Sequence, residues 1–379
     1  MSVYRHRAIE PQVWRDLQRK MVFLSGPRQS GKTSLARQMC RRAGVDPKKW
    51  YLNWDSLAHR DNIMSESFPS GKGLLVLDEV HKYRRWRQTV KGLYDTRGDE
   101  LRILVTGSAR LDHYRRGGDS LQGRYHFLRL LPFSAAELGK PDPACIRDLM
   151  RFGPFPEPFL AASLTESRRW SRDYRSRLVR EDLRDLERVV DLDLIDRLAM
   201  RLPSLVGSPL SINALREELQ VAHASVARWI TMLENMFLIF RVYPFGGPRI
   251  RAVKKEAKHY HFDWTTVQDD AARFENLIGY HLLKWCWYRQ DCEGIDTELR
   301  YFRDIDKREV DFVVVENGAP VRCVECTLKR RDINPALRYF KHKFPGVDAV
   351  QVSLENGPDL RTKDGLRIVS ATDFTAELV

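Results

Sequence analysis

The stretch that most restricts this chain is Gly26-Pro-Arg-Gln-Ser-Gly31-Lys32-Thr33, which follows the apolar run Met21 to Ser25 and opens a helical pattern at Lys32. It is a complete G-x-x-x-x-G-K-T loop set between a strand and a helix. A phosphate group is anionic and needs several donors converging on it with no side chain in the way. Glycines permit that approach, and the loop's backbone N–H groups and the helix N-terminus supply the donors. The expected cradle is Gly26, Pro27, Arg28, Gln29, Ser30, Gly31, Lys32, Thr33 and Ser34. Lys32 is expected to reach the β- and γ-phosphates and the Thr33 hydroxyl to hold Mg²⁺, so ATP and Mg²⁺ are the expected cofactors.

Three more apolar runs follow at Tyr51 to Trp54, Leu74 to Leu77 and Leu101 to Thr106, separated by helical stretches. That alternation predicts an α/β fold with a parallel sheet covered on both faces. Ligands of such sheets sit beyond the carboxyl ends of the strands, where the polar residues of this chain fall. The second run ends in Asp78-Glu79, so Asp78 is expected near the Mg²⁺ and Glu79 is expected to polarise an attacking water. The third ends in Gly107-Ser108, which puts Ser108 where a sensor of the γ-phosphate or the water would stand.

With 379 residues, two or three domains are expected at about 150 residues each. A composition 43% hydrophobic and 30% charged excludes disordered and collagenous readings. Lys and Arg total 64 against 51 acidic residues, a net charge of +13, which favours a polyanionic partner such as nucleic acid. No apolar run approaches the roughly 18 residues of a membrane helix, so no membrane role is expected. The charged N-terminus lacks an apolar signal region, and six scattered cysteines make no disulfide framework; a reducing cytoplasm is the expectation. Cys323-Val-Glu-Cys326 reads as a strand, whose positions i and i+3 face opposite ways and suit one metal poorly.

Beyond prolines 141 to 158, Leu164 to Ile195 reads as a charged helical stretch with a solvated, salt-bridged face. Ser211 to Leu219 and Ala224 to Asn235 read as two helices. Val226, Trp229, Ile230, Leu233 and Phe237 mark the buried face of the second. A β-rich stretch turning at Gly246-Gly247 completes the order of a winged helix-turn-helix. Ser225 and Arg228 lie off the apolar face and would enter a major groove; Arg241, Arg249, Arg251, Lys254 and Lys255 would meet phosphates. A long helix (Phe274 to Trp287) and strands at Tyr301-Phe302, Val310 to Val315 and Val321 to Cys326 close the chain.

The blocks GPRQSGKTSL, LLVLDEVHKYRRW, ILVTGSAR and SLQGRYHFLRLLPFSAAEL resemble those of the prokaryotic AAA+ ATPases that carry a C-terminal domain of unknown function. FGPFPEPF, SPLSINALREELQVAHASV and REVDFVVVENG extend the resemblance over nearly the whole chain. It implies an AAA+ core at residues 1–145, a helical lid at 146–200, a winged helix at 201–262 and a PD-(D/E)XK-like, restriction-endonuclease-like α/β domain at 263–379. It also implies a homo-oligomer whose active sites are completed between subunits. By the same resemblance Arg124 of Gly123-Arg124 is expected to be the leading trans arginine finger, with Arg110 and Arg116 behind it. The nuclease-like carboxylates fall on Glu275, Asp311 and Glu325. Thr327 stands where the family pattern has Lys, and Lys329, two residues on, is expected to share its strand face. That departure implies a degenerate module for binding or assembly.

The expectation is an ATP-hydrolysing oligomer that binds and remodels duplex or branched DNA. The alternatives are a nucleotide-gated protein-binding switch and an ATP-dependent nuclease.

Overall fold

The computed structural model describes residues 4–107, 121–139, 142–182, 191–246 and 256–378. The chain divides into two compact units, one ending at Pro132 and the other running from Phe133.

The first unit is built on five parallel strands: β1 (Met21–Ser25), β2 (Tyr51–Asn53), β3 (Gly73–Asp78), β4 (Leu101–Thr106) and β5 (Tyr125–Arg129). Their order across the sheet is β2-β3-β4-β1-β5, with β1 near the centre. The buried runs of β1 and β3 are apolar without alternation because both faces are covered, as the sequence predicted. Phe23, Leu52, Leu75, Leu77, Ile103 and Val105 share one core with Val90 of the helix Trp86–Arg97. Register then places the site. Asn53 pairs with Asp78, Asp78 with Thr106, and Thr106 with Leu24, so these residues form one row at the carboxyl edge.

In the second unit, the expected helical stretch from Leu164 to Ile195 is broken. A helix Leu164–Arg177 is capped by the Ser163 hydroxyl, which accepts from Glu166 N at 3.4 Å, and passes into a π-turn at Leu178–Asp182. A separate helix, Leu192–Arg201, follows. Charge patterning could not show the break, because a π-turn keeps the composition and changes only the phase of the buried face. Trp170 and Tyr174 carry that face, their rings stacked at 4.7 Å beside Phe155.

The helices Ile212–Leu219 and His223–Asn235 precede an antiparallel pair, β6 (Ile239–Pro244) and β7 (Lys258–His261). β6 also pairs in parallel with β8 (Thr297–Arg303), Tyr243 facing Arg300. The hairpin is therefore one end of an eight-stranded sheet. The others are β9 (Glu309–Glu316), β10 (Ala319–Thr327), β11 (Asp348–Ser353), β12 (Leu360–Arg361) and β13 (Leu366–Ser370), and the order is β12-β13-β11-β10-β9-β8-β6-β7. The long helix Asp270–Tyr288 packs across this sheet, and a Cβ at Gly279 would lie 2.6 Å from the Phe312 ring. Among the described residues no helix is long and apolar enough to cross a membrane.

Candidate functional site

The loop after β1 is pressed against the chain that leaves β5. Leu130 N donates to Ser25 O at 2.8 Å, and a Cβ at Gly26 would stand 2.2 Å from Leu130 O. With φ at +149°, position 26 accepts only glycine. Gln29 at φ +59° and Gly31 at φ +100° turn the loop into the helix Lys32–Arg42. Arg7, 4% exposed, ties it from behind: its guanidinium donates to Ser30 O at 2.8 Å and also to Leu131 O. Sequence reading missed Arg7, since an arginine in a charged N-terminus carries no sign of burial. The Lys32 ammonium is buried and donates to Gly26 O at 2.9 Å and Pro27 O at 2.6 Å.

Across the row, Asp78 accepts from three hydroxyls: Thr33 Oγ1 at 3.2 Å, Tyr51 and Thr106. Thr33 and Asp78, predicted to share a metal ion, are thus neighbours. Burial, and next the Asp78 carboxylate, push the Tyr51 phenol above its ordinary range. Glu79 takes φ +55°, and its carboxylate lies 3.6 Å from Lys82 Nζ and 3.7 Å from His81 Nε2. Burial holds His81 below the usual imidazole range. Ser108, Arg110 and Arg116 lie outside the described residues. β4 ends at Thr106, whose hydroxyl is the side chain it delivers to Asp78.

Arg124 sits at the other edge. Met21 N donates to Arg124 O, and the guanidinium pairs with Asp95 at 2.8 Å on the surface. Five strand residues, about 13–17 Å, separate Arg124 from the phosphate loop of its own chain.

In the second unit two of the expected carboxylates, Glu275 and Asp311, come together with Glu309 around a residue the sequence did not single out, and Glu325 lies within electrostatic reach of Asp311. Lys258, at the start of β7 and 1% exposed, has Nζ 2.7 Å from Glu309, 3.2 Å from Glu275 and 3.6 Å from Asp311. Tyr260 donates to Glu275 at 2.6 Å and Cys326 N to Asp311 at 2.9 Å. Burial raises Glu275 to about 7, with Asp311 adding to it. Burial and then Asp311 raise Glu325 to about 9, and its Oε1 accepts from Asn334 Nδ2 at 2.5 Å. Burial alone would lower the Lys258 ammonium, but the three carboxylates outweigh it and raise it. Lys329 does not share the strand face as expected: β10 ends at Thr327, and Lys329 is exposed in the bend beyond. Among the described residues no group of three His, Cys, Asp or Glu side chains could hold a metal ion, and all six cysteines are free.

On the helix His223–Asn235 the predicted face, Val226, Trp229, Ile230, Leu233 and the following Phe237, is buried. Arg228 is exposed and Ser225 half-buried. Arg241 is taken up by Glu234, at 2.5 and 3.0 Å. Arg249, Arg251, Lys254 and Lys255 lie outside the described residues.

Comparison with known proteins agrees with the first unit's geometry. Residues 18–139 match the family model of an AAA domain, while 144–267 and 271–374 match two domains of unknown function, DUF8612 and DUF4143. An uncharacterized protein of Mycobacterium tuberculosis is 26% identical over 63% of this chain and 53% of its own length. The chain thus spans about half of that relative. An uncharacterized Haemophilus influenzae protein is 21% identical over 76% of this chain and 78% of its own. A solved STAND ATPase with a tetratricopeptide sensor, from Pyrococcus horikoshii, matches at a TM-score of 0.24 and 11% identity over 75% of this chain and 46% of its own. That score is too low to bear on the fold. The matched model, the five-stranded parallel sheet and the loop geometry together make the first unit an AAA-like P-loop ATPase domain.

Proposed function

We propose that the chain hydrolyses ATP with Mg²⁺, as a cytoplasmic homo-oligomer, and couples turnover to remodelling of duplex or branched DNA. The observation that carries the ATPase reading is the meeting of Thr33 Oγ1 and the Asp78 carboxylate, 3.2 Å apart, beside Lys32. This is a hard-oxygen donor pair suited to Mg²⁺ next to a cradle of backbone N–H groups. Bound Mg²⁺ supplies charge neutralisation at the phosphates. Lys32 exchanges the Gly26 and Pro27 carbonyls for phosphate oxygens. Tyr51 and Thr106 hold Asp78 in place, and Glu79 takes the proton of the attacking water. Arg124, too far to act on its own chain's loop, serves a neighbour's site.

The net charge of +13 supports a nucleic-acid partner, and the two helices followed by β6 and β7 support a winged-helix module with Arg228 outward. On this reading the module's wing is continuous with the sheet of the nuclease-like domain, and that domain binds or assembles and does not cut, because Lys258 fills its carboxylate site. The ion pair between Glu79 and Lys82 favours a second reading, a slow nucleotide-gated switch for a protein partner.

Turnover by the purified full chain tests both. Lys32→Ala is expected to abolish it, and Glu79→Gln to keep ATP binding but stop hydrolysis; unchanged turnover in both variants refutes the ATPase reading. A DNA-coupled enzyme turns over several-fold faster with DNA and loses the gain in salt, whereas a switch ignores DNA.

A further inference from the structure

The carboxylate cluster of the second unit and a divalent metal ion do not fit together, and the reason is a residue of the chain itself. Glu275 comes from the long helix, Glu309 and Asp311 from β9 and Glu325 from β10. These are the hard oxygens that Mg²⁺ or Mn²⁺ takes, at contacts of about 2.0–2.2 Å, but as they stand around Lys258 no three of them could hold an ion. The space between the first three already holds the Lys258 ammonium, 2.7 Å from Glu309, 3.2 Å from Glu275 and 3.6 Å from Asp311. A lysine is almost never fully buried without paired charge, and the Tyr301 ring, 5.6 Å from Nζ, adds a further favourable contact.

Two other atoms mark this as a place built to receive something polar. Glu325 Oε2 and Thr327 Oγ1 are buried without a hydrogen-bond partner. The two residues stand two apart on β10, so their side chains share a face, and Thr327 is 6% exposed. Buried polar atoms are normally satisfied, so this carboxyl oxygen and hydroxyl leave places for a further polar ligand beside the cluster.

We propose that Lys258 is a built-in substitute for a divalent cation: its ammonium neutralises the Glu275, Glu309 and Asp311 cluster, keeps Mg²⁺ and Mn²⁺ out, and covers a hard-cation site that its removal would open. The inference does not depend on the ATPase reading. It concerns metal binding in nucleotide-free protein, so its failure leaves the first unit's assignment untouched.

Manganese binding to the full chain without nucleotide, followed by electron paramagnetic resonance at neutral pH, tests it. Native protein is expected to bind no Mn²⁺ that Asp311→Asn removes. Lys258→Met keeps the length and unbranched shape but not the charge. It should take up one additional ion per chain, with affinity at least roughly tenfold above any native background, and lose it again in the Lys258→Met/Asp311→Asn double variant. Lys258→Arg, which keeps a cation in place, should gain no ion. If Lys258→Met is unfolded by circular dichroism, added Mn²⁺ should restore the fold. Native binding abolished by Asp311→Asn would show that metal and ammonium coexist and would overturn the proposal. A folded Lys258→Met without Mn²⁺, or an unfolded one that Mn²⁺ fails to rescue, would overturn it equally.

Discussion

Asp78 illustrates how much one side chain depends on its neighbours. A buried carboxylate is costly unless donors satisfy it, and here Thr33, Tyr51 and Thr106 each donate a hydroxyl. Thr33 was legible because the G-x-x-x-x-G-K-T spacing names it. Tyr51 was not: it belongs to an edge strand 27 residues away and reaches Asp78 only because β2 pairs with β3. Tyr51 meets the site through the Asp78 carboxylate and the Thr33 hydroxyl, the two expected metal-binding groups, so its expected part is to position them. In Tyr51→Phe, ATP affinity measured without metal is expected to stay unchanged, while the Mg²⁺ needed for half-maximal turnover rises several-fold. Loss of one hydrogen bond to a charged acceptor costs about 1.5–3 kcal/mol at most, so the variant should stay folded. A magnesium titration of turnover that superimposes on the native curve would remove Tyr51 from the site.

At the scale of elements, β7 and the long helix carry the pH response of the second unit. His259 on β7 and His281 on the helix are buried and lowered to about 4, and His261 is lowered as well, by burial first. His281 Nε2 accepts from Ala135 N at 3.0 Å, which requires the neutral ring. The unfolded chain therefore takes up protons that the folded one refuses, and these residues withdraw stability as pH falls from 6.5 toward 4. Glu325 acts oppositely. Its folded carboxyl keeps its proton to about 9 against 4.5 when unfolded, so stability is lost as pH rises through that window. Glu325→Gln keeps the shape without the proton requirement. It is expected to raise the unfolding free energy from urea titration at high pH, by at least about 1 kcal/mol near pH 8.5, and to change it little near pH 5. Equal effects at both pH values would mean that the carboxyl is already ionised in the fold. None of this was visible in KHYHF, because alternation indicates a strand and says nothing of whether both of its faces are covered.

The finger role proposed for Arg124 belongs to the scale of the whole molecule. Just before the amino end of β5 Arg124 lies at the sheet edge opposite its own phosphate loop, so a finger at this position requires a second copy. Glu79→Gln lacks its own base and Arg124→Ala lacks the finger it would lend, and each alone is expected to be inactive. Mixed before assembly, the two should recover part of the native turnover, because some sites then pair an intact Glu79 with a neighbour's intact Arg124. Turnover per chain should also rise with protein concentration. A mixture no more active than its components would place the finger elsewhere. At the same scale, β6 and β7 belong by hydrogen bonding to the eight-stranded sheet that β8 to β13 complete.

Sequence alone determined the phosphate loop, its strand and helix, the Asp78-Glu79 strand end and the buried face of His223–Asn235. Each of these is local, a matter of spacing and period within some twenty residues, and such signals survive without knowledge of partners. Tertiary structure decided the rest: that Tyr51 and Thr106 grip Asp78, that Arg7 braces the loop, and that Lys258 occupies the carboxylate cluster. Those contacts join residues 17 to 53 positions apart, and Arg7 to Leu131 is 124 apart. Strand register and burial create them, and a charged or hydroxyl side chain reads the same in a sequence whether it ends in water or against a buried carboxylate.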